Sequence, residues 1–188
     1  VLELLGPMDE LGVIAVDSAP HTIVNLGPVT DKATLKKKIL SIDSMGGGIY
    51  VYEALAASAG MLTSATPTTR HIILFSDAQD SEAPGAYQTL LEKARRATIT
   101  VSVIGLGSDR DVDAGLLKDI AKRGGGRAFF TQDPKKLPQL FAQDTFVVAR
   151  SSFIDETTPV RSTGTLTAMT GRSFSDPPPV GGYNLNYL

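Results

Sequence analysis

The residues best placed to do chemistry gather around Asp77. His71-Ile72-Ile73-Leu74-Phe75 is a continuous apolar run that stops at Ser76-Asp77, and the small polar stretch Ala78-Gln79-Asp80 follows. A run of this length, rich in β-branched and aromatic residues, predicts a strand buried on both faces. In open α/β sheets ligands bind beyond the carboxyl ends of such strands, which is where Asp77 stands. Asp77 as a phosphotransfer nucleophile would need a second carboxylate and a Lys at a later strand end. Asp80 supplies the first, but the later strand ends, near Gly105 and Thr131, offer no Lys.

Other constellations are weaker. The two histidines are His21, in a predicted hairpin strand, and His71, at the far end of its strand from Asp77. Both are assigned structural roles rather than a place in a Ser–His–Asp triad. Gly105-Leu106-Gly107 lacks the third glycine and the ribose-binding acid of a dinucleotide loop. Gly46-Gly47-Gly48 has no Gly-Lys-Ser/Thr ending and is not a Walker loop. Lys36-Lys37-Lys38 reads as the solvated face of a helix. Cysteine is absent, which removes disulfides, thiolate metal sites and a Cys nucleophile, and leaves the compartment open.

The elements that must position Asp77 follow from the pattern. With 188 residues and 42% apolar content, the chain has enough material for one medium domain with a core, plus an appendage. A net charge of -2 gives no basic excess for nucleic acid, and no apolar run approaches the 20 or so residues that span a bilayer. Val1 to Pro7 reads as the last turns of a helix, so the chain is expected to begin inside a longer protein. Leu11 to Ser18 and His21 to Leu26 predict a hairpin, the second strand alternating as an exposed edge does.

Helices are expected over Ala33–Ile42 (capped by Asp31, with Leu35, Ile39, Leu40 and Ile42 inward), Tyr50–Leu62 and Ala83–Ala97. Another begins at Asp111, with Val112, Leu116, Leu117 and Ile120 inward, and a last one runs from Asp133-Pro134 to Val148. Strands are expected at Ile99–Ile104 and Arg127–Thr131. The alternation from Ile49 to Val148 specifies an α/β fold with a parallel sheet and right-handed crossovers, the hairpin adding an antiparallel edge. From Thr157 onward Thr, Ser, Gly and Pro dominate, which reads as a linker over 157–188 that leads into a following module, the alternative being a tail that packs back on the domain.

Taken in order, DELGVIAVDS, PVTDKATLKKKI, SMGGGIYVYEAL, RHIILFSDAQD, ITVSVIGLGSD and GGGRAFFTQDPKKLPQLF resemble a von Willebrand factor A (VWA) domain of the bacterial type. The similarity covers roughly Met8 to Glu156, so the domain is placed at 1–156. The context most resembled is that of large bacterial membrane proteins that also carry a glutamine-amidotransferase-like module, which SFSDPPPVGGYNLNYL looks to precede. The resemblance implies a Rossmann-like fold with a mostly parallel central sheet, one antiparallel edge strand and helices on both faces. It also implies a first, central strand between the hairpin and the Asp77 strand, carrying Asp-x-Ser-x-Ser. That motif is not in this sequence. The strand is expected either upstream of Val1 or replaced, by Thr163–Met169 or by a neighbouring chain.

The resemblance further implies a metal-ion-dependent adhesion site built from hard oxygen ligands, which suit Mg2+. Asp77 matches its third part. The second part, a Thr after the Gly-rich turn, falls on Ile49, which has no oxygen to offer. The site is therefore expected to be degenerate, with no cofactor required and Mg2+ at Asp77 as the alternative. The expected function is non-catalytic protein binding through loops carrying Gly47, Gly48, Ile49, Asp77, Gln79, Asp80 and Gly105. The alternatives are an accessory domain of an amidotransferase-like enzyme and a metal-dependent hydrolase or phosphotransfer enzyme.

Overall fold

A computed structural model describes residues 2–43, 50–65, 69–77, 84–149, 153–154, 159, 179 and 183–184. The chain divides into two units, Val1–Val148 and Ala149–Leu188.

The first unit opens with a 3-10 turn, Leu2–Leu4, where the sequence predicted the end of a helix. Strands β1 (Glu10–Val16) and β2 (Pro20–Pro28) then form the expected antiparallel hairpin. Its turn is organised by Asp17, whose Oδ1 accepts from the Ala19 N–H at 3.0 Å and lies 3.0 Å from His21 Nε2. The Ala19 N–H, followed by His21, holds the Asp17 carboxyl below its ordinary range. Helix α1 (Lys32–Leu40) packs on β2, with the Asp31 carboxylate accepting from the Thr34 N–H as its N-cap.

The α/β alternation continues with α2 (Val51–Leu62), β3 (Arg70–Asp77), α3 (Tyr87–Arg96), β4 (Ile99–Leu106), α4 (Ala114–Arg123), β5 (Gly125–Thr131) and α5 (Leu137–Ala149). Strands β3, β4 and β5 form a parallel sheet in that order. In β3 the residues alternate: Ile72, Leu74 and Ser76 are buried, while Phe75 and Asp77 are exposed. Ile72 and Leu74 join Val101 and Val103 of β4 in a core that Leu55 of α2, Leu91 of α3 and Leu117 and Ile120 of α4 complete. This burial of aliphatic surface drives the fold.

The hairpin and the parallel sheet are separate sheets. Among the described residues β1 does not pair with β3, as expected if a central strand lies between them. Helix α2 packs against β1, β2 and β3 and so spans both sheets. Its approach to β1 is close: a Cβ at Gly12 would collide with the Met61 sulfur.

Several expectations need correction. Leu40 and Ile42 do not face inward: they are 74% and 39% exposed, and only Leu35 and Ile39 of that set turn toward β2. Val112 is 90% exposed because α4 starts at Ala114 rather than after Asp111. Asp111 instead closes its own loop, accepting from the Ser108 N–H at 2.8 Å. Helix α3 begins at Tyr87, and the final helix follows a separate 3-10 turn, Pro134–Lys136, capped by Asp133.

In the second unit β6 (Phe153–Ile154) pairs antiparallel with β7 (Tyr183–Asn184). Among the described residues no helix is long and apolar enough to cross a membrane.

Candidate functional site

Asp77 is the last residue of β3, in register with Leu106 at the end of β4. Its side chain is exposed because it continues the Ile73–Phe75 face of the strand past the edge of the core. The neighbouring Ser76 turns inward, and its hydroxyl donates to the Asp77 carbonyl at 2.7 Å. This fixes the backbone at the strand tip. Gly47, Gly48, Ile49, Gln79 and Asp80 lie outside the described residues, as does the Gly-rich turn.

Gly105 is placed differently from expectation. It is buried, and a Cβ there would meet the Phe130 ring at 2.6 Å. Its role is to let Phe130 of β5 cross β4 closely, so a partner cannot reach it. The surface at this tip is made instead by the loop after Leu106. The Gly107 N–H donates to the Thr131 carbonyl at 2.8 Å, which ties the loop to the end of β5. Beyond it an open cleft of about 460 Å3 runs between Ser108-Asp109 and Gln132-Asp133, floored by Phe130. Lys136 lines the cleft as well, and Lys118 of α4 braces the loop. Its ammonium donates to the Asp109 carbonyl at 2.8 Å and stands 5.5 Å from the Phe130 ring centre.

Among the described residues no group of three or more His, Asp or Glu side chains comes together at any point. At the tip of β3 the described carboxylate is that of Asp77, and the six oxygens of a Mg2+ shell would need further ligands from the flanking loops, which lie outside the described residues. Glu53, in the first turn of α2 just after the Gly-rich turn, has a buried Oε2 without a hydrogen-bond partner among the described residues.

The most developed polar cluster lies toward the opposite end of the sheet, around His71, to which the sequence assigns a structural role. Asp144 of α5 is fully buried. Its Oδ1 accepts from the Ser102 hydroxyl at 2.9 Å and from Arg127 Nη2 at 2.8 Å, and its Oδ2 lies 2.9 Å from His71 Nε2. The other ring nitrogen of His71 is 2.6 Å from Thr100 Oγ1. Burial pushes the Asp144 carboxyl up. The hydrogen bond and charge of His71, then the bonds from Ser102 and Arg127, outweigh burial and leave it below its ordinary value. The sequence does carry a signal: Leu137, Phe141, Asp144 and Val148 are spaced i, i+4, i+7 and i+11, which puts an Asp on the inward arc of a helix. Ser, His and Asp meet here, yet Ser102 bonds the carboxylate rather than the imidazole. The cluster is thus a structural clamp, not a nucleophile with its base.

Comparison with known proteins supports the α/β reading. The sequence profile of the von Willebrand factor type A domain matches residues 2–143. Among solved structures, BatB from Bacteroides thetaiotaomicron aligns with a TM-score of 0.63 at 21% identity, over 80% of this chain and 83% of that one. An aerotolerance-related membrane protein from Bacteroides fragilis aligns with a TM-score of 0.62 at 17% identity, over 78% and 83%. A von Willebrand factor type A protein from Catenulispora acidiphila gives a TM-score of 0.69 at 20% identity, over 85% of this chain but 38% of its own. These likenesses speak to the fold. No curated protein matches the sequence. With the profile covering most of the chain, and an antiparallel hairpin beside a parallel α/β sheet, the chain belongs to the von Willebrand factor type A domain family.

Proposed function

We propose that this VWA domain is a non-catalytic protein-binding module of a larger bacterial protein. Its partner surface is the set of loops at the carboxyl ends of β3 and β4, and it works there without a resident metal. The observation that carries this reading is the contrast in chemistry at the two ends of the sheet. The end bearing Asp77 presents exposed side chains, Asp77, Asp109 and Arg110 among them, on loops tied to the strand tips. The end bearing His71, Ser102 and Asp144 is sealed. Domains of this family are in general interaction modules, which agrees with that placement. Ile49, where the resemblance calls for an oxygen ligand, supports a degenerate metal site.

The Bacteroides fragilis neighbour is a membrane protein, which supports a membrane-anchored parent for this segment as well. The composition of residues 157–188 supports their role as a linker.

Two measurements test the reading. Titration calorimetry with Mg2+ or Mn2+ should show no saturable binding in the micromolar range. Tight binding abolished by Asp77→Ala would overturn metal independence. A photo-crosslinking side chain placed at Asp109 should capture the partner in cells of the source bacterium, while the same group at Arg96, on α3, should not. Equal capture at both positions would overturn the assignment of the surface.

A further inference from the structure

Helix α1 differs from the other helices of the first unit. It has no buried residue and rides on β2 through Lys32, Leu35 and Ile39, each half-exposed. Its outer half is Ala33, Thr34, Lys36, Lys37, Lys38 and Leu40, all exposed. At 100° per residue Lys37 sits at the centre of that face, with Lys36 and Leu40 on one flank and Lys38 on the other. Leu40 is 74% exposed, and Ile42, just past the end of the helix, is 39% exposed.

Two ordinary explanations account for part of this. Lys37 and Lys38 lie in the last turn, where positive charge favours the helix dipole. Lysines on an outer face also keep a helix soluble. Neither explains a nearly free leucine in the middle of them. The lysines are not neutralised: among the described residues no ion pair involves Lys32, Lys36, Lys37 or Lys38. The flanking acids are Glu3, Asp31 and Asp43, and the Asp31 carboxylate is engaged at the N-cap.

A basic face with a projecting apolar side chain matches the surface of a bilayer rich in anionic lipid. The ammonium groups meet the headgroup phosphates and carboxylates, and the leucine enters the acyl boundary. Nucleic acid phosphates would reward the lysines but not Leu40. We propose that α1 is a peripheral contact with anionic membrane, through Lys36, Lys37, Lys38 and Leu40. The contact lies on β2, apart from the strand-tip loops, so a bound partner and a lipid surface do not compete for the same residues.

Helix α3 provides an internal control. Its last turn holds Lys93, Arg95 and Arg96, all exposed, but no large apolar side chain is exposed on that helix. The experiment is co-sedimentation of the full chain with phosphatidylcholine vesicles made with and without phosphatidylserine. Binding should require phosphatidylserine and weaken as salt rises. Replacing Lys36, Lys37 and Lys38 together by Gln should reduce partitioning about a hundredfold, from roughly fivefold per lysine. Leu40→Ser should reduce it about tenfold without changing the salt dependence. Replacing Lys93, Arg95 and Arg96 together by Gln removes the same charge and should leave binding within about twofold of wild type. The proposal is overturned by no binding to phosphatidylserine vesicles, by equal losses in the α1 and α3 variants, or by α1-dependent capture of an acidic protein only. Circular dichroism of each variant checks that a loss is not unfolding.

Discussion

The two faces of the parallel sheet are held by opposite chemistry. On one face α2, α3 and α4 contribute Leu55, Leu91 and Leu117, each at most 1% exposed, against Ile72, Leu74, Val101 and Val103. On the other, the fully or nearly buried positions of α5 are Asp144 and Thr145, while its Phe146 and Val147 remain 44% and 49% exposed. The first face relies on burial of area, which is non-directional and tolerant of small shifts. The second relies on a carboxylate that must meet three donors at once, from β3, β4 and β5. The difference teaches that α5 is docked by a directional carboxylate clamp in addition to apolar contacts such as Phe75–Phe141. Hydrogen bonds to a buried charge are strong when complete and costly when one is missing.

That contrast can be broken, and the largest effect belongs to the apolar face. Leu117→Ala should cost about 3–4 kcal/mol and lower the denaturant midpoint of the whole domain. Asp144→Asn should cost about 3 kcal/mol, because Arg127 and His71 lose their anionic partner. The signature should be local: hydrogen exchange should accelerate in α5 well before it does in β4. If β4 and α5 lose protection together, the two faces are one cooperative unit and the contrast fails.

Acid sharpens the same point. The folded-state value of Asp144 is depressed, so its contribution is present above the unfolded value, near 3.8, and is lost as pH falls through the lowered folded value. Acid release of α5, followed by near-ultraviolet dichroism of Phe141 and Phe75 (ring centres 6.0 Å apart), should therefore appear only below the ordinary carboxylate range. An onset near pH 6 would contradict the sign. Moving the other way, Thr145→Val removes a buried hydroxyl that has no partner among the described residues and should stabilise the domain by about 1 kcal/mol in thermal melts.

The smallest effect sits outside both faces. Helices α3 and α4 each end in a left-handed residue, but α4 uses Gly125 (φ +70°) where α3 uses Thr98 (φ 58°). Thr98→Gly should raise stability by about 0.5 kcal/mol, since a β-branched residue is strained in that conformation.

How much of this was legible in the sequence differs by region. The apolar runs at Ile72–Phe75 and Ile99–Ile104 announce their strands, but their burial is the reverse of the expectation. The run expected to be covered on both faces alternates, with Phe75 exposed, whereas Ile99–Ile104, whose Thr100 and Ser102 read as a less buried face, is the more deeply covered because Ser102 turns to Asp144. The three inward residues Leu117, Ile120 and Leu91 follow from helical spacing. Leu40, Ile42 and Val112 mislead by the same logic, because periodicity identifies an apolar arc but not whether anything covers it. The Asp144 clamp joins residues 71, 102, 127 and 144, so no local window contains it, and its one trace is an Asp on an inward arc. At the strand tips Asp77 is found from its place in the run. Gly105 is misjudged because a glycine in a loop-like Gly-x-Gly reads as surface, whereas here it makes room for Phe130.

The separation of the hairpin from the parallel sheet bears on how the protein behaves in a concentrated solution. Among the described residues, one edge of β1 and one edge of β3 carry no ladder partner. Between Arg70-His71 and Asp77, β3 presents Ile72 to Ser76 without a charge to repel an approaching strand. Rows of free N–H and C=O groups of this kind are templates for strand addition from another molecule. Light scattering should rise with protein concentration at temperatures where circular dichroism reports a fully folded domain.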